Sequence, residues 1–220
     1  MKRIVLLTAI VVPVFAGLAA RAASAPTGKG DLTISAKPLT ITFGQATTIS
    51  GKVKGPLKDP VLVTLQRNPY PFTDGLFEGA GTTLSANNGN YAFSGVRPGL
   101  NTRYRASALV PPKTSIEVEV QVRINVVLHL SDRTPRAGQR VRFFGTAAPQ
   151  HDGRTVRIQR QTQAGSWKTV SRTLLRDAGD AQSKFSRRVR VRRDGVYRAR
   201  VSRDPDHATG TSGRKSVDVH

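Results

Sequence analysis

The sequence contains no cysteine among its 220 residues, and only one tryptophan and one methionine. Without cysteine the protein has neither disulfides nor thiolate metal sites, so each folded unit must be held by its own apolar core. Acidic residues are also few, with 14 Asp and Glu against 35 Lys and Arg, which gives a formal net charge of +21. Such a charge bears on solubility and on association with anionic partners, and it does not determine the fold.

Helical periodicity is lacking as well. Beyond the first 25 residues, no long window has the 3.6-residue spacing of an amphipathic helix. Short runs of alternating apolar and polar residues recur instead, bounded by Gly, Pro and Asn. This pattern predicts an all-β fold made of two tandem antiparallel β-sandwiches, each of about seven strands, after an N-terminal signal peptide.

The N-terminal segment, residues 1–25, predicts the signal peptide. A basic start, Met1-Lys2-Arg3, precedes an apolar run from Ile4 to Ala20, and small residues around Ala22 suit cleavage. The alternative is an uncleaved anchor, which is disfavoured because the run is short and Pro13 interrupts it. The mature protein is therefore expected to be secreted or extracellular, free or associated with the cell surface, and without a membrane span.

The remaining chain contains an internal sequence repeat. The stretch Asp194–Val201 resembles Asn101–Ala108, and Gly138-Gln139 repeats Gly44-Gln45 at a similar distance of about 93 residues. We therefore predict two similar units, residues 31–123 and residues 124–220. The second is strongly basic, with twenty-one Lys and Arg against eight Asp and Glu, a net charge of +13.

Three segments also carry a family resemblance. Val96-Arg97-Pro98-Gly99-Leu100-Asn101-Thr102-Arg103-Tyr104, Gly165-Ser166-Trp167-Lys168-Thr169-Val170 and Asp194-Gly195-Val196-Tyr197-Arg198-Ala199 are similar to bacterial immunoglobulin-like and fibronectin type III-like repeats of exported surface proteins. The resemblance covers residues from about 31 to 219. It implies a β-sandwich with a buried tyrosine after a turn, and a role as spacer, adhesin or accessory module.

Residues that could support catalysis or bind a metal are sparse. The four histidines are His129, His151, His207 and His220. No two have a metal-ligand spacing along the chain, and no nucleophile elbow or phosphate-binding loop is present. His151-Asp152-Gly153 is typical of a turn, and Asp204-Pro205-Asp206 offers too few oxygens for calcium. We therefore expect no enzyme, catalytic residue, metal site or cofactor.

Arginine supplies the candidate binding surface. Strand alternation would turn eight arginines of the second unit outward from its two sheets: Arg140, Arg142, Arg157, Arg188, Arg190, Arg192, Arg198 and Arg200. Guanidinium groups bind phosphate and carboxylate in a bidentate manner, so these faces could bind a polyanion. The alternative is that they are simply solvated. Nucleic acid is not the expected partner because the aromatic residues are assigned to the core.

A second candidate contact lies in the first unit. Tyr70 and Phe72 stand among prolines in the loop Asn68–Gly75, where they could stack on a sugar or cap the end of the core.

The sequence thus predicts an exported, non-enzymatic structural or binding module at the bacterial cell surface. The alternative is a protein that binds a wall polymer, anionic lipid or acidic polysaccharide through its arginine-rich second unit. The expected partner is a cell-surface polyanion or another surface or secreted protein, and the oligomeric state is left open.

Overall fold

The computed structural model describes residues 31–73, 75–109 and 112–220. These residues form strands, turns and loops and no helix, so the prediction of an all-β fold is confirmed. It follows that no helix in this part of the chain is long and apolar enough to cross a membrane. The predicted signal peptide, residues 1–25, lies outside the described residues.

Nine strands make up the first half of the chain. They are β1 (Ser35–Lys37), β2 (Thr40–Thr42), β3 (Thr47–Lys52), β4 (Leu62–Pro69), β5 (Glu78–Leu84), β6 (Asn90–Val96), β7 (Thr102–Leu109), β8 (Pro112–Thr114) and β9 (Val118–Arg123). One sheet has the order β1-β3-β6. The facing sheet has the order β2-β9-β7-β4-β5, with β8 paired to β7.

Nine more strands make up the second half. They are β10 (Asn125–Leu130), β11 (Arg140–Ala148), β12 (Thr155–Gln161), β13 (Trp167–Leu174), β14 (Arg176–Asp177), β15 (Ser183–Arg190), β16 (Gly195–Val201), β17 (Gly210–Thr211) and β18 (Lys215–Val217). One sheet has the order β10-β11-β15-β14. The other has the order β13-β12-β16-β17, with β18 paired to β16.

The buried apolar side chains form two separate clusters, one for each pair of sheets. The first runs from Leu32 to Val122 and the second from Ile124 to Val217. Alternation along the strands explains this, because every second residue of β7 and β16 faces the interior. Tyr104 and Tyr197, the equivalent tyrosines of the internal sequence repeat, are both buried.

The internal repeat also includes two turns of the same geometry. Gly44 and Gly138 both have a left-handed backbone, with φ of 87° and 84°, a conformation that glycine adopts without steric cost. The next residue, Gln45 or Gln139, accepts a backbone N–H through its side-chain oxygen, at 3.1 Å and 2.9 Å. The same short sequence thus builds the same turn before β3 and before β11.

One pairing departs from the predicted antiparallel arrangement. The run Leu32–Ala36 alternates like a single edge strand, but only β1 pairs with β3, and Leu32 forms an isolated bridge with Val53 just beyond the end of β3. The chain then passes to the opposite sheet, where β2 runs parallel to β9. Because the chain changes sheets without reversing direction, β2 lies parallel to β9, the last strand of this half. Alternation of apolar and polar residues does not reveal strand direction, so it could not predict this pairing.

Alkaline pH is expected to destabilise the fold through its buried tyrosines. Burial raises the pKa of Tyr104 to about 12 and also raises the pKa values of Tyr91 and Tyr197. The folded protein therefore keeps these protons at a pH where the unfolded chain, with a tyrosine pKa of about 10, has lost them. Stability should be retained below about pH 10 and fall as the pH rises towards 12. Urea unfolding at intervals from pH 8 to 12 would measure this, and Tyr104→Phe should reduce the slope. A flat profile in the wild type would contradict the prediction.

Candidate functional site

The outer face of the sheet β10-β11-β15-β14 is strongly basic. Its outward positions carry six basic residues and no acidic one, as the strand register shows. We call these six the basic face: Arg140, Arg142, Arg176, Lys184, Arg188 and Arg190. It contains four of the eight predicted arginines, and the sheet brings those four together.

Like charges stand directly opposite one another on the basic face. Arg140 pairs in register with Arg190, Arg142 with Arg188, and Arg176 with Lys184. Directly opposed like charges destabilise a sheet. Among the described residues none of the six forms a salt bridge. The face is therefore an uncompensated positive surface on a flat scaffold.

An aromatic pair borders this surface. The guanidinium of Arg142 lies 4.3 Å from the centre of the Phe144 ring, and His129 lies against the same ring at 5.6 Å between centroids. A groove of about 610 Å³ runs past these residues between Thr173 and Lys184. The basic face thus offers both positive charge and an aromatic surface at its edge.

The opposite sheet carries Arg157, Arg198 and Arg200, but two of them are engaged within the protein. Arg198 donates to the side-chain oxygen of Gln159 at 2.9 Å and lies 4.0 Å from the centre of the Trp167 ring. Burial, followed by the charges of Arg200 and Arg214, lowers its pKa. Arg157 donates to the hydroxyl of Ser202 at 2.9 Å.

The first unit repeats this construction. Arg105 donates to Gln66 at 2.8 Å and lies 4.1 Å from the centre of the Phe77 ring. Since the less basic unit has the same Gln–Arg–aromatic stack, Arg198 is explained as part of the sandwich. The expectation that the aromatic residues are mostly in the core is wrong for Phe77 and Trp167, which are half-buried beneath arginines.

Arg192 does not lie where the sequence analysis placed it. It was expected on the strand with Arg188 and Arg190, but β15 ends at Arg190 and Arg192 is an exposed residue of the following turn. Val191 is still buried and bonds to Gln139 and Gly138 of the turn before β11, so the pairing partner of β15 ends at that turn and Arg192 lies beyond it.

The loop residues Tyr70 and Phe72 pack against each other. Their rings meet edge to face at 5.6 Å, and the guanidinium of Arg103 covers Phe72 at 4.3 Å. Phe72 has a φ of 57°, an uncommon conformation for a bulky residue. Both side chains are half-buried, and their role as a contact for a sugar stays a prediction.

The two halves of the chain meet at a polar joint. Only Ile124 separates β9 from β10, and Ala208 of the second half bonds to Val122 and Ile124 through its backbone. Asn101, which is buried, accepts the N–H of Val122 at 2.9 Å and donates to the carbonyl of Pro205 at 3.3 Å. These bonds tie the loop before β7 to the loop after β16.

Two histidines and two aspartates converge at this joint. His151 Nε2 lies 3.2 Å from Asp204 Oδ2, and His207 Nδ1 lies 3.4 Å from Asp206 Oδ1. Burial, then the hydrogen bond with Asp206 and its charge, raises the pKa of Asp204. The same hydrogen bond lowers the pKa of Asp206. We call these four residues the junction cluster.

Sequence reasoning did not find the junction cluster. His151 and Asp204 lie in separate loops, each interpreted as a turn. Antiparallel pairing of β12 with β16 places Val156 opposite Val201, and continuing that register backward brings His151 to the loop that holds Asp204 and Asp206. Asp204, Asp206 and His207 are adjacent in the sequence, so the missing signal was the strand register that brings His151 to them.

The chain was compared with known families, curated proteins and solved structures. No family model and no curated protein matches the sequence. Among solved structures, the chain is similar to a tetra-tandem repeat from the extending region of a large adhesion protein, with 15% identity and a TM-score of 0.37. It is also similar to red sea bream transglutaminase, with 12% identity and a TM-score of 0.42. Each alignment covers 86% of this chain, but only 49% of the first structure and 31% of the second.

Proposed function

We infer that the protein is an exported, non-enzymatic module of the bacterial cell surface that binds an anionic polymer through the basic face. The observation that carries this is the pairing of arginine with arginine across β11 and β15. A purely structural surface would balance these positions with acidic residues, because opposite charges across a strand pair stabilise the sheet. A polyanion laid along the face would supply the missing negative charge.

The chemistry of the face suits phosphate or carboxylate. Arg140, Arg142, Arg188 and Arg190 are all exposed, and their side chains stand outward from neighbouring strands. Strands in a sheet lie about 4.8 Å apart, so these guanidinium groups can contact successive charges of an extended polymer. Wall polymers, anionic lipid headgroups and acidic polysaccharides all present such rows of charge.

The test is retention of the mature chain, residues 26–220, on isolated cell envelopes across a salt series. We expect binding at low salt that is lost by about 0.3 M, because binding to a polyanion releases counterions. Changing Arg140, Arg142, Arg188 and Arg190 together to glutamine should weaken binding at low salt by about tenfold or more. Soluble polyphosphate should compete with the envelopes.

The control variant removes the same charge elsewhere. It changes four exposed arginines outside the basic face to glutamine: Arg97, Arg133, Arg136 and Arg193. If both variants lose binding equally, charge acts without a specific face and the proposal fails. Retention that does not respond to salt would point to a protein partner instead, and absence of binding at any salt would also overturn the proposal.

A further inference from the structure

The junction cluster has the shape of an enclosed ligand set. The candidate donor atoms of His151, Asp204, Asp206 and His207 all lie within 4.8 Å of one another. The side chains of His207, His151 and Asp204 are only 2%, 7% and 8% exposed, whereas that of Asp206 is 38% exposed. The cluster is therefore buried on three sides and reachable from solvent past Asp206.

Hydrogen bonds fix which imidazole nitrogen faces the cluster. His151 Nδ1 lies 2.7 Å from the carbonyl of Pro149, and His207 Nε2 lies 2.9 Å from the carbonyl of Gly99. A carbonyl only accepts, so each of these nitrogens carries a proton and donates it. In a neutral imidazole the other nitrogen, His151 Nε2 or His207 Nδ1, then has a free lone pair. Both lone pairs point at carboxylate oxygens.

That arrangement leaves a buried polar atom without a partner. His207 Nδ1 has no hydrogen-bond partner, although it lies 3.4 Å from Asp206 Oδ1 and 3.9 Å from Asp204 Oδ1. The two negative carboxylates repel this lone pair unless a cation or a proton lies between them. Arg154 Nη2 lies 3.6 Å from Asp204 Oδ2, but it donates to the carbonyls of Ser202 and Arg203 and makes no hydrogen bond to His207 Nδ1.

We propose that the junction cluster binds a divalent transition metal of the zinc class. In a tetrahedral site with metal–ligand bonds of about 2.0–2.1 Å, neighbouring donors lie roughly 3.3–3.4 Å apart. The contacts of 3.2 Å and 3.4 Å between imidazole and carboxylate match that edge, whereas the whole set of donor atoms spans up to 4.8 Å, so binding would draw the ligands together. With two neutral imidazoles and two ionised carboxylates the four ligands carry a charge of −2, and the neighbouring Arg154 offsets one of these charges, so the site stays net negative and attracts a cation.

The donor types select among cations. Imidazole suits zinc, copper, nickel and iron, whereas calcium takes six to eight oxygen ligands and magnesium a near-octahedral oxygen set. The carbonyls of Pro149 and Gly99 also act as the outer contacts that orient metal-bound imidazoles through their second nitrogen.

The site would connect metal binding to the joint. His151, Asp204, Asp206 and His207 all belong to the second half of the chain, but Gly99, which orients His207, belongs to the first. Phe43 of the first half also packs near the His207 ring, at 6.4 Å between centroids. A bound cation would therefore fix the ring that the two sandwiches share.

The experiment is a titration of the mature chain, freed of metal with a chelator, with Zn²⁺ by calorimetry and with Co²⁺ by visible absorption. We expect one equivalent bound per chain, the intense absorption of tetrahedral Co²⁺, and no saturable heat with Ca²⁺. His151→Ala and Asp206→Asn should each weaken Zn²⁺ binding by at least tenfold. Asp206 is the more exposed ligand, so its variant tests the site with the least disturbance of the packing.

The matched control is His129→Ala, which removes an exposed histidine far from the joint and should leave Zn²⁺ binding unchanged. The proposal is overturned if the folded wild type takes up no stoichiometric Zn²⁺. It is equally overturned if His129→Ala weakens binding as much as His151→Ala does.

Discussion

Replacing Gly145 with alanine is expected to destabilise the second sandwich by about 3 kcal/mol, at the upper end for overpacking. A Cβ at this position would stand against the carbonyl oxygen of Val127 on the neighbouring strand, well inside van der Waals contact. That carbonyl belongs to the β10–β11 pair, where Leu128 lies opposite Gly145, so it cannot withdraw without opening the sheet. The Phe185 ring closes the other side.

The measurement is urea unfolding followed by the fluorescence of Trp167, the single tryptophan of the chain and a residue of the second sandwich. Gly79→Ala is the control, because a Cβ there meets nothing within 4 Å and the backbone φ is not left-handed. Its effect should stay within about 0.5 kcal/mol. A Gly145→Ala protein as stable as the control would show that β10 and β11 are held less tightly than the register indicates.

Replacing Asn101 with alanine should both destabilise the protein and uncouple its halves. The change leaves the buried N–H of Val122 without its side-chain acceptor, and it also removes a donor from the carbonyl of Pro205, an exposed residue. A buried orphaned group costs about 1–3 kcal/mol, so we expect a loss of about 2 kcal/mol. Because Asn101 contacts both halves, the loss falls on the joint itself.

Scanning calorimetry tests this second prediction. The wild type should unfold in one transition, and Asn101→Ala should split it into two as the sandwiches melt separately. Asn87→Ala, at an exposed turn position, should change neither the number of transitions nor the midpoint. A single transition in the Asn101 variant, with little loss of stability, would mean that the other bonds across the joint hold it without this side chain.

The sequence predicted the architecture well because the relevant signals are local. Alternation determines which face of a strand is buried, and this placed Tyr104, Tyr197 and the outward arginines of β11 and β15 correctly. Turn chemistry at Gly44 and Gly138 is equally local. The end of a strand depends on the strand beside it as well as on the local sequence. For this reason Arg192 was assigned to β15, which ends before it.

The candidate sites were harder to predict because they depend on what lies across a strand or a loop. Arg198 was assigned to a binding surface, but its neighbours Gln159 and Trp167 come from other strands and make it part of the sandwich. His151 and His207 meet only after β12 and β16 pair. To predict which residues come close in this way, one needs the strand register, which a single sequence does not reveal.

The parallel pairing of β2 with β9 has a mechanical consequence. Tension along the chain would pull β2 towards its beginning and β9 towards its end, because β9 leads directly into β10. The two strands lie side by side and point the same way, so such a force slides them past each other. Their hydrogen bonds must then break together instead of one after another. The first sandwich should therefore resist extension more strongly than one whose terminal strands separate one bond at a time.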